Sequence, residues 1–342
     1  MIWRKSAASS AGETSAAKGA AKNVLVIQLG GLGQFVLALA AAQRIREAHV
    51  GARITLLTTE ATKALAEKAP YFDAVDADGK PTEPQAITGL IKRLRAAKYD
   101  VVYDLEGSSR TSNYFQGLRP WPPKWSGPTP GASYAYVDAD RPNLHPLDRY
   151  ARQLAAAGIA CDEDTLMPDV TWVRTVLRDA PRLSPDFFGI RGDYVVLLPR
   201  AAEAESKRWP EAKYADLAGR IAAHGVTPVV MGGPEERPIG AAVAKETPRA
   251  KNLVTRADLF QCVSLFERAA FVVGDDVELM HLAAAAGAPC ITFLSALNPE
   301  RIAPRGKGGV VVLTAADISL LPVEQVERQL RNGGVLRHAQ SA

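Results

Sequence analysis

The chain repeats one pattern twice, in which short apolar runs alternate with helix-forming segments. A continuous apolar run such as NVLVIQL is typical of a strand that is buried on both faces. In the first series the strand patterns fall at 23–29, 54–58, 72–75 and 99–105, and the helical patterns at 35–49, 62–68 and 87–97. This alternation predicts a parallel sheet with right-handed crossovers.

The second half of the chain starts the same alternation again. Its strand patterns fall at 194–198, 226–231, 253–254, 271–273, 290–294 and 309–313, and its helical patterns at 211–225, 235–246, 259–269 and 323–331. A chain of 342 residues is long enough for two ordinary cores. We therefore predict an α/β protein of two doubly wound, Rossmann-like domains that face a central cleft.

The stretch VVGDDVELMHLAAAAGAP at 272–289 combines a strand end, an acidic turn and a helix. In a parallel sheet such a turn lies at the carboxyl ends of the strands, where ligands bind against helix N-termini. The acidic residues of the turn, Asp275 and Asp276, are therefore candidate ligand-binding residues.

The expected division of the chain follows from these patterns. It comprises a disordered lead-in (1–22), a first domain (23–160), a linker (161–192), a second domain (193–334) and a tail (335–342). The lead-in lacks the apolar segment of a signal peptide. A short basic element at 2–5 that touches a membrane is the lesser alternative. The proline- and aromatic-rich insert at 107–146 predicts either a functional loop or a rigid connector.

Composition excludes several classes of protein. Apolar residues make up 47% and charged residues 23%, which are globular values, and no apolar run approaches the length of a membrane span. The net charge of +4 does not favour a nucleic-acid coat but suits an anionic substrate. The three cysteines lie far apart, without metal-site spacing, and we predict no metal site.

Six segments stand out when they are taken in order: NVLVIQLGGLGQFVLALAAAQRIRE, YDVVYDLEGSSRT, HPLDRYARQLAAAG, LLPRAAEAESKRWPEAKYADLA, VVMGGPEE and VVGDDVELMHLAAAAGAP. In this order they resemble glycosyltransferase family 9, the heptosyltransferase family, and the resemblance covers about 23–334. It implies the GT-B architecture and inverting, metal-independent transfer of a heptose-like sugar from a nucleotide diphosphate sugar, here an ADP-sugar, to a lipopolysaccharide-core or related glycan acceptor. The first domain would bind the acceptor and the second the nucleotide sugar, with no further cofactor.

The resemblance also implies a cytoplasmic enzyme, with peripheral contact at the inner membrane face as an option and no nucleic-acid partner. Two alternatives stay open at this point. One is a catalytically silent relative that binds a sugar or a nucleotide. The other is an enzyme that uses a different nucleotide sugar and a relocated base.

Basic residues of the second domain are the predicted diphosphate ligands. Lys207 and Arg208 precede Trp209-Pro210 at a helix start, where basic side chains and free N–H groups can hold a diphosphate. A solvated basic pair is the alternative. Arg200 stands where the family has a small turn and could add a third charge.

Polar residues of the second domain are the other predicted donor ligands. Asp276 matches the family's donor-binding Asp and His281 its helix histidine; a helix cap and a packing histidine are the alternatives. In GGPEE, Gly233 belongs to the turn, and Glu236 could accept hydrogen bonds from sugar or ribose hydroxyls.

The sequence departs from the family at positions implied to be functional. The family's catalytic Asp is Gln34 here, and glutamine cannot take a proton from a hydroxyl at neutral pH. The family's Ser/Thr-Gly after the donor Asp is Val277-Glu278, which adds bulk and negative charge. Asp104 and Glu106, at a strand end of the first domain, could replace the base or bind acceptor hydroxyls.

The predicted acceptor contacts lie in the glycine turn and in the insert. Gly31 and Gly33 allow close approach of a ligand. In the insert, Arg110 offers charge for phosphates, and Trp121 and Trp125 offer flat apolar faces for sugar rings or acyl chains.

Overall fold

The computed structural model describes residues 21–177, 180–201, 204–295, 297 and 299–336, and it contains two six-stranded parallel sheets. The first sheet has the order β3-β2-β1-β4-β5-β6. Its strands are β1 (Asn23–Ile27), β2 (Arg53–Leu57), β3 (Ala74–Asp76), β4 (Val101–Asp104), β5 (Lys124–Gly127) and β6 (Tyr134–Ala135). Its helices are α1 (Leu32–Ala48), α2 (Glu60–Ala66), α3 (Pro84–Ala97), α4 (Ser109–Gly117) and α5 (Pro146–Ala156).

The second sheet has the order β12-β11-β10-β7-β8-β9. Its strands are β7 (Tyr194–Leu198), β8 (Thr227–Val230), β9 (Lys251–Asn252), β10 (Phe271–Gly274), β11 (Cys290–Ser295) and β12 (Val310–Ala315). The remaining helices are α6 (Trp172–Val176), α7 (Glu211–Ala223), α8 (Arg237–Glu246), α9 (Leu259–Arg268), α10 (Val277–Ala285), α11 (Pro299–Ile302) and α12 (Val323–Asn332). The predicted pair of doubly wound sheets is confirmed. The basic element at 2–5, most of the lead-in (1–20) and most of the tail (337–342) lie outside the described residues.

The insert is not a separate lid, because it supplies α4, β5 and β6 to the first sheet. Trp125, on β5, is 0% exposed and packs edge-on against Phe115 with 5.3 Å between the ring centroids. The predicted acceptor contact of Trp125 is therefore wrong, since its ring is part of the core. Trp121 is 88% exposed, but it precedes β5 and so lies at the amino ends of the parallel strands. Ligand sites in parallel sheets usually form at the opposite edge, so the acceptor contact of Trp121 stays a prediction that this position does not support.

The two sheets are joined by packing between helices from each half. α1 lies against α10, and a single apolar cluster contains buried residues of both helices. At the start of α5, Asp148 makes a bidentate ion pair with Arg305 at 2.5 and 3.0 Å. Beside it, Nε2 of His145 lies 3.0 Å from the carbonyl oxygen of Ala303. The interface is thus both apolar and polar.

The segment between the sheets packs on the second half. The N–H of Val170 donates to the carbonyl of Ala285 at 3.1 Å, and the hydroxyl of Ser264 donates to the carbonyl of Leu183 at 2.7 Å. Among the described residues, no helix combines the length and apolarity needed to cross a bilayer.

Candidate active site

The turn between β1 and α1 is held open by a glutamine side chain. The N–H of Gly30 donates to Oε1 of Gln28 at 2.6 Å, and Nε2 of Gln28 donates to the hydroxyl of Tyr150 at 3.1 Å. Gln28 is buried, whereas Gln34, in the first turn of α1, is exposed. These hydrogen bonds fix the backbone of the turn, and Gly31 and Gln34 are exposed to solvent on it.

Asp275 ties three parts of the second domain together. Its carboxylate accepts hydrogen bonds from the N–H of Arg200 at 3.0 Å, the N–H of Trp209 at 2.8 Å and the hydroxyl of Tyr214 at 2.6 Å. Burial raises the pKa of Asp275 to about 6. Because this buried carboxylate is already used by three protein donors, the predicted donor contact of Asp275 is wrong; it positions the surrounding loops instead.

Asp276 begins α10 as its N-cap. Its Oδ1 accepts from the N–H of Leu279 at 3.2 Å, which is the usual role of an Asp at this position. Burial, together with the smaller effect of the negative charges of Glu236 and Glu278, raises the pKa of Asp276 to about 6. Asp276 therefore caps α10 and also lines the cavity that is described below.

Glu236 connects the loops that follow β7 and β8. Its Oε1 accepts from the N–H of Ala201 and its Oε2 from the N–H of Gly233, both at 2.8 Å. The carboxylate is buried. Both oxygens thus have backbone partners, and the side chain fixes the separation of the two loops.

A cavity of about 450 Å³ opens where these turns meet α1. It is lined by Leu32, Arg200, Gly233, Glu236, Asp276, Val277, Glu278 and Leu279. Four residues predicted as donor ligands, Arg200, Gly233, Glu236 and Asp276, are therefore brought together. Lys207 is exposed and Arg208 half-buried; neither belongs to the described cavity wall. The backbone of this segment is nevertheless anchored nearby, through the bond between Trp209 and Asp275.

His281 lies beneath the glycine turn rather than in the cavity. A Cβ atom on Gly33 would lie 3.0 Å from Cδ2 of His281. Burial lowers the pKa of His281 to about 4, so the ring is neutral at physiological pH. Its Nδ1 is buried and has no hydrogen-bond partner within the described part of the chain. In this conformation His281 packs the two halves together.

The acidic strand end of the first domain is largely closed to ligands. Asp104 is 0% exposed; its Oδ1 accepts from the N–H of Gly107 at 2.8 Å, and its Oδ2 is buried without a partner among the described residues. Because no acceptor hydroxyl can reach it, the prediction of Asp104 as a replacement base is wrong. Glu106 is half-buried, and its Oε2 accepts from the N–H of Leu29 at 3.1 Å.

Arg141 and Arg149 of the first domain and Arg301 of the second lie close enough for their charges to interact, and sequence reasoning did not single them out. The Nε atoms of Arg141 and Arg149 are buried without a hydrogen-bond partner within the described residues. Burial lowers the pKa of Arg149, and the charges of Arg141 and Arg301 lower it further. A Cβ on Gly107 would collide with the Arg141 guanidinium, which places Arg141 at the carboxyl end of β4.

Arg110 lies apart from this group. Its Nη1 donates to the carbonyl of Pro81 at 2.9 Å. Pro81 borders a second cavity of about 580 Å³ at the outer edge of the first sheet, which is also lined by Thr59, Glu60, Ala77, Asp78, Lys80, Thr82, Glu83, Ala86, Gly89 and Arg93. Arg110 thus lies near a cavity that the sequence did not predict, and its contact with the acceptor stays a prediction.

Comparison with known proteins identifies the family. The family model described as "Glycosyltransferase family 9 (heptosyltransferase)" matches residues 87–320, which is more than half of the chain. The chain belongs to glycosyltransferase family 9. A relative of this family 9 protein is the lipopolysaccharide core heptosyltransferase OpsX of Haemophilus influenzae, 21% identical over 295 residues, 83% of this chain and 82% of OpsX.

Solved structures agree on the fold of this family 9 glycosyltransferase. A family 9 glycosyltransferase of Veillonella parvula superposes with a TM-score of 0.74 at 19% identity, covering 91% of this chain and 97% of the other. The Escherichia coli heptosyltransferase WaaC with ADP gives 0.71 at 20% identity, covering 91% and 99%. The GT-B architecture, with two facing Rossmann-like halves, is thereby confirmed.

In this family 9 enzyme, Asp104 gives a test of the electrostatics of the first domain. Burial raises the pKa of Asp104 to about 6, above the unfolded value of about 3.9. The folded state therefore holds this proton more tightly. The stabilisation from this group is present below about pH 4 and is lost as the pH rises through about 6.

Asp104→Asn, which stays neutral, should consequently lose less free energy of unfolding than the wild type between about pH 5 and about pH 8. Guanidinium unfolding at both pH values measures this difference. Asp193→Asn, at an exposed site before β7, is the matched control and should behave like the wild type. Equal losses in the wild type and Asp104→Asn would show that the group titrates alike in both states.

Proposed function

We propose that the protein transfers a heptose-like sugar from an ADP-sugar to an anionic lipopolysaccharide-core acceptor, with inversion and without a metal. The observation that carries this proposal is the 450 Å³ cavity at the carboxyl ends of the second sheet, roofed by Leu32 of the first domain. Family membership supplies the reaction class. The structural relative with ADP and the relative named as a lipopolysaccharide core heptosyltransferase support the choice of donor and acceptor.

The donor fits the second-domain side of this cavity. Arg200 is exposed at its edge and can pair with a diphosphate, since a guanidinium binds phosphate oxygens in a bidentate manner. A carboxylate repels phosphate, so Asp276 is better suited to accept hydrogen bonds from sugar or ribose hydroxyls. Metal independence is proposed because guanidinium charge can stabilise the leaving diphosphate.

The acceptor fits the first-domain side. Arg141 lies near the end of β4, and its charge acts on Arg149, as does that of Arg301 from the second domain. Like charges held together in this way are stabilised by an anion. Phosphate or carboxylate groups on the core sugars would supply that charge. Inversion follows if the acceptor hydroxyl, held by the first domain, attacks the anomeric carbon from the face opposite the leaving diphosphate, which the second domain holds.

A thermal-shift screen against ADP-, UDP-, GDP- and CMP-sugars tests the donor. ADP-heptose should raise the unfolding midpoint most, because the proposal makes it the nucleotide sugar that binds the folded state most tightly. A ligand at about 100 times its Kd adds about 2.7 kcal/mol to the free energy of unfolding. Arg200→Gln should weaken the shift. Arg191→Gln, which removes an exposed arginine before β7, is the matched control and should keep it. No shift with any nucleotide sugar would contradict the proposal.

A catalytically silent binding protein is the second candidate, and Gln34 at the family's base position is the observation that favours it. It would show the same thermal shift but no transfer of sugar to a core acceptor. Residence in the cytoplasm, with peripheral contact at the inner membrane, stays a prediction.

A further inference from the structure

Glu278 reaches from the second domain to the glycine turn of the first. It is the second residue of α10, is exposed, and lines the 450 Å³ cavity. A Cβ on Gly31 would lie 2.5 Å from Oε1 of Glu278, and a Cβ on Gly33 would lie 3.3 Å from its Cα. The two glycines therefore leave the space that this glutamate occupies.

Gln34 lies against the same turn. A Cβ on Gly30 would lie 2.7 Å from Cβ of Gln34, while the neighbouring Gly31 meets the carboxylate of Glu278. Consecutive Cα atoms are only about 3.8 Å apart. Glu278 thus brings a carboxylate to the turn whose own base position holds an amide.

The other acids around the cleft are hydrogen-bonded to the protein, whereas the carboxylate of Glu278 has no hydrogen-bond partner among the described residues. Those other acids are Asp104, Glu106, Glu236, Asp275 and Asp276. Glu278 is also exposed to the cavity, so a ligand can reach it. An exposed carboxylate can accept a proton from a hydroxyl; glutamine cannot.

We propose that Glu278 is the general base of the transfer reaction, replacing the function lost at Gln34; this inference rests on the proposed function. Its carboxylate takes the proton of the acceptor hydroxyl as that oxygen forms a bond to the anomeric carbon of the donor. The bond from the anomeric carbon to the diphosphate oxygen breaks, and its electron pair leaves with the nucleoside diphosphate. Glu278 then releases the proton to solvent.

The test is Glu278→Gln, assayed by single-turnover transfer from ADP-heptose to heptose-deficient lipopolysaccharide core, with ADP-heptose binding titrated separately. The transfer rate should fall by about 10²- to 10⁴-fold, the usual contribution of a general base. The Kd for ADP-heptose should not rise, because the substitution removes a negative charge near the phosphates. The acid limb of the pH–rate profile should disappear in the variant.

A double variant sharpens the test. Adding Gln34→Asp to Glu278→Gln returns a carboxylate to the turn and should restore a large part of the rate. Glu246→Gln, at the exposed end of α8, is the matched control and should transfer like the wild type.

Wild-type rates in Glu278→Gln would overturn the proposal. So would a defect confined to ADP-heptose binding, or loss of transfer in Glu106→Gln but not in Glu278→Gln. Failure of the wild type to bind ADP-heptose, seen in the titration rather than in the rates, would overturn the proposed function and this base with it.

Discussion

Asp275→Ala should unfold the donor side of the protein at much lower denaturant than the wild type. The substitution leaves the N–H groups of Arg200 and Trp209 without their acceptor, and it leaves the hydroxyl of Tyr214 only a long bond of 3.4 Å to the carbonyl oxygen of Leu198. Each buried donor left unpaired costs about 1–3 kcal/mol. The loss should therefore be several kcal/mol, and the loop that carries Arg200 should no longer hold its position.

Two measurements check this expectation. Urea unfolding gives the loss of stability, and titration with ADP-heptose should show weakened binding in the fraction that remains folded. Asp193→Ala removes an exposed aspartate before β7 and should alter neither quantity. If Asp275→Ala kept wild-type stability and lost only binding, Asp275 would be a donor ligand after all.

Trp125→Ala should cost about 3–5 kcal/mol, the usual range for removing a buried aromatic side chain. The ring is fully buried and packs against Phe115 and the apolar residues beneath β4 and β5. Trp121→Ala is the matched control, since that ring is 88% exposed and only four residues away. We expect the Trp121 variant to stay close to wild-type stability.

Guanidinium unfolding of both variants gives the comparison. A loss in Trp121→Ala as large as that in Trp125→Ala would mean that Trp121 is buried in solution. Transfer activity should be nearly unchanged in Trp121→Ala, because Trp121 lies at the sheet edge away from the cleft.

The sequence predicts long apolar strands better than short ones. The residues of NVLVIQL and YVVLL are enough to predict a strand, because buried strands of a parallel sheet are apolar throughout. By contrast, β5 reads KWSG and β6 has only two residues. These segments become strands through pairing with a formed sheet, so their local residues indicated a loop.

Some residues of the candidate site could likewise be predicted from the local sequence, and others could not. Arg200, Gly233, Glu236 and Asp276 could be predicted because polar residues that follow parallel strands meet at one edge of the sheet. The contact between Glu278 and Gly31 could not be predicted, since it depends on how α1 and α10 pack across the domain interface. The burial of Asp104 and Asp275 likewise comes from the surrounding chain, not from their own neighbours in sequence.

The carboxylate of Glu236 has a consequence for how the cavity responds to its ligand. One oxygen of Glu236 accepts from the N–H of Ala201 and the other from the N–H of Gly233. The side chain therefore links the loop after β7 to the loop after β8. A ligand that displaces one loop must carry the other with it or break a hydrogen bond. Contacts that a donor makes with either loop therefore also restrain the position of the other loop.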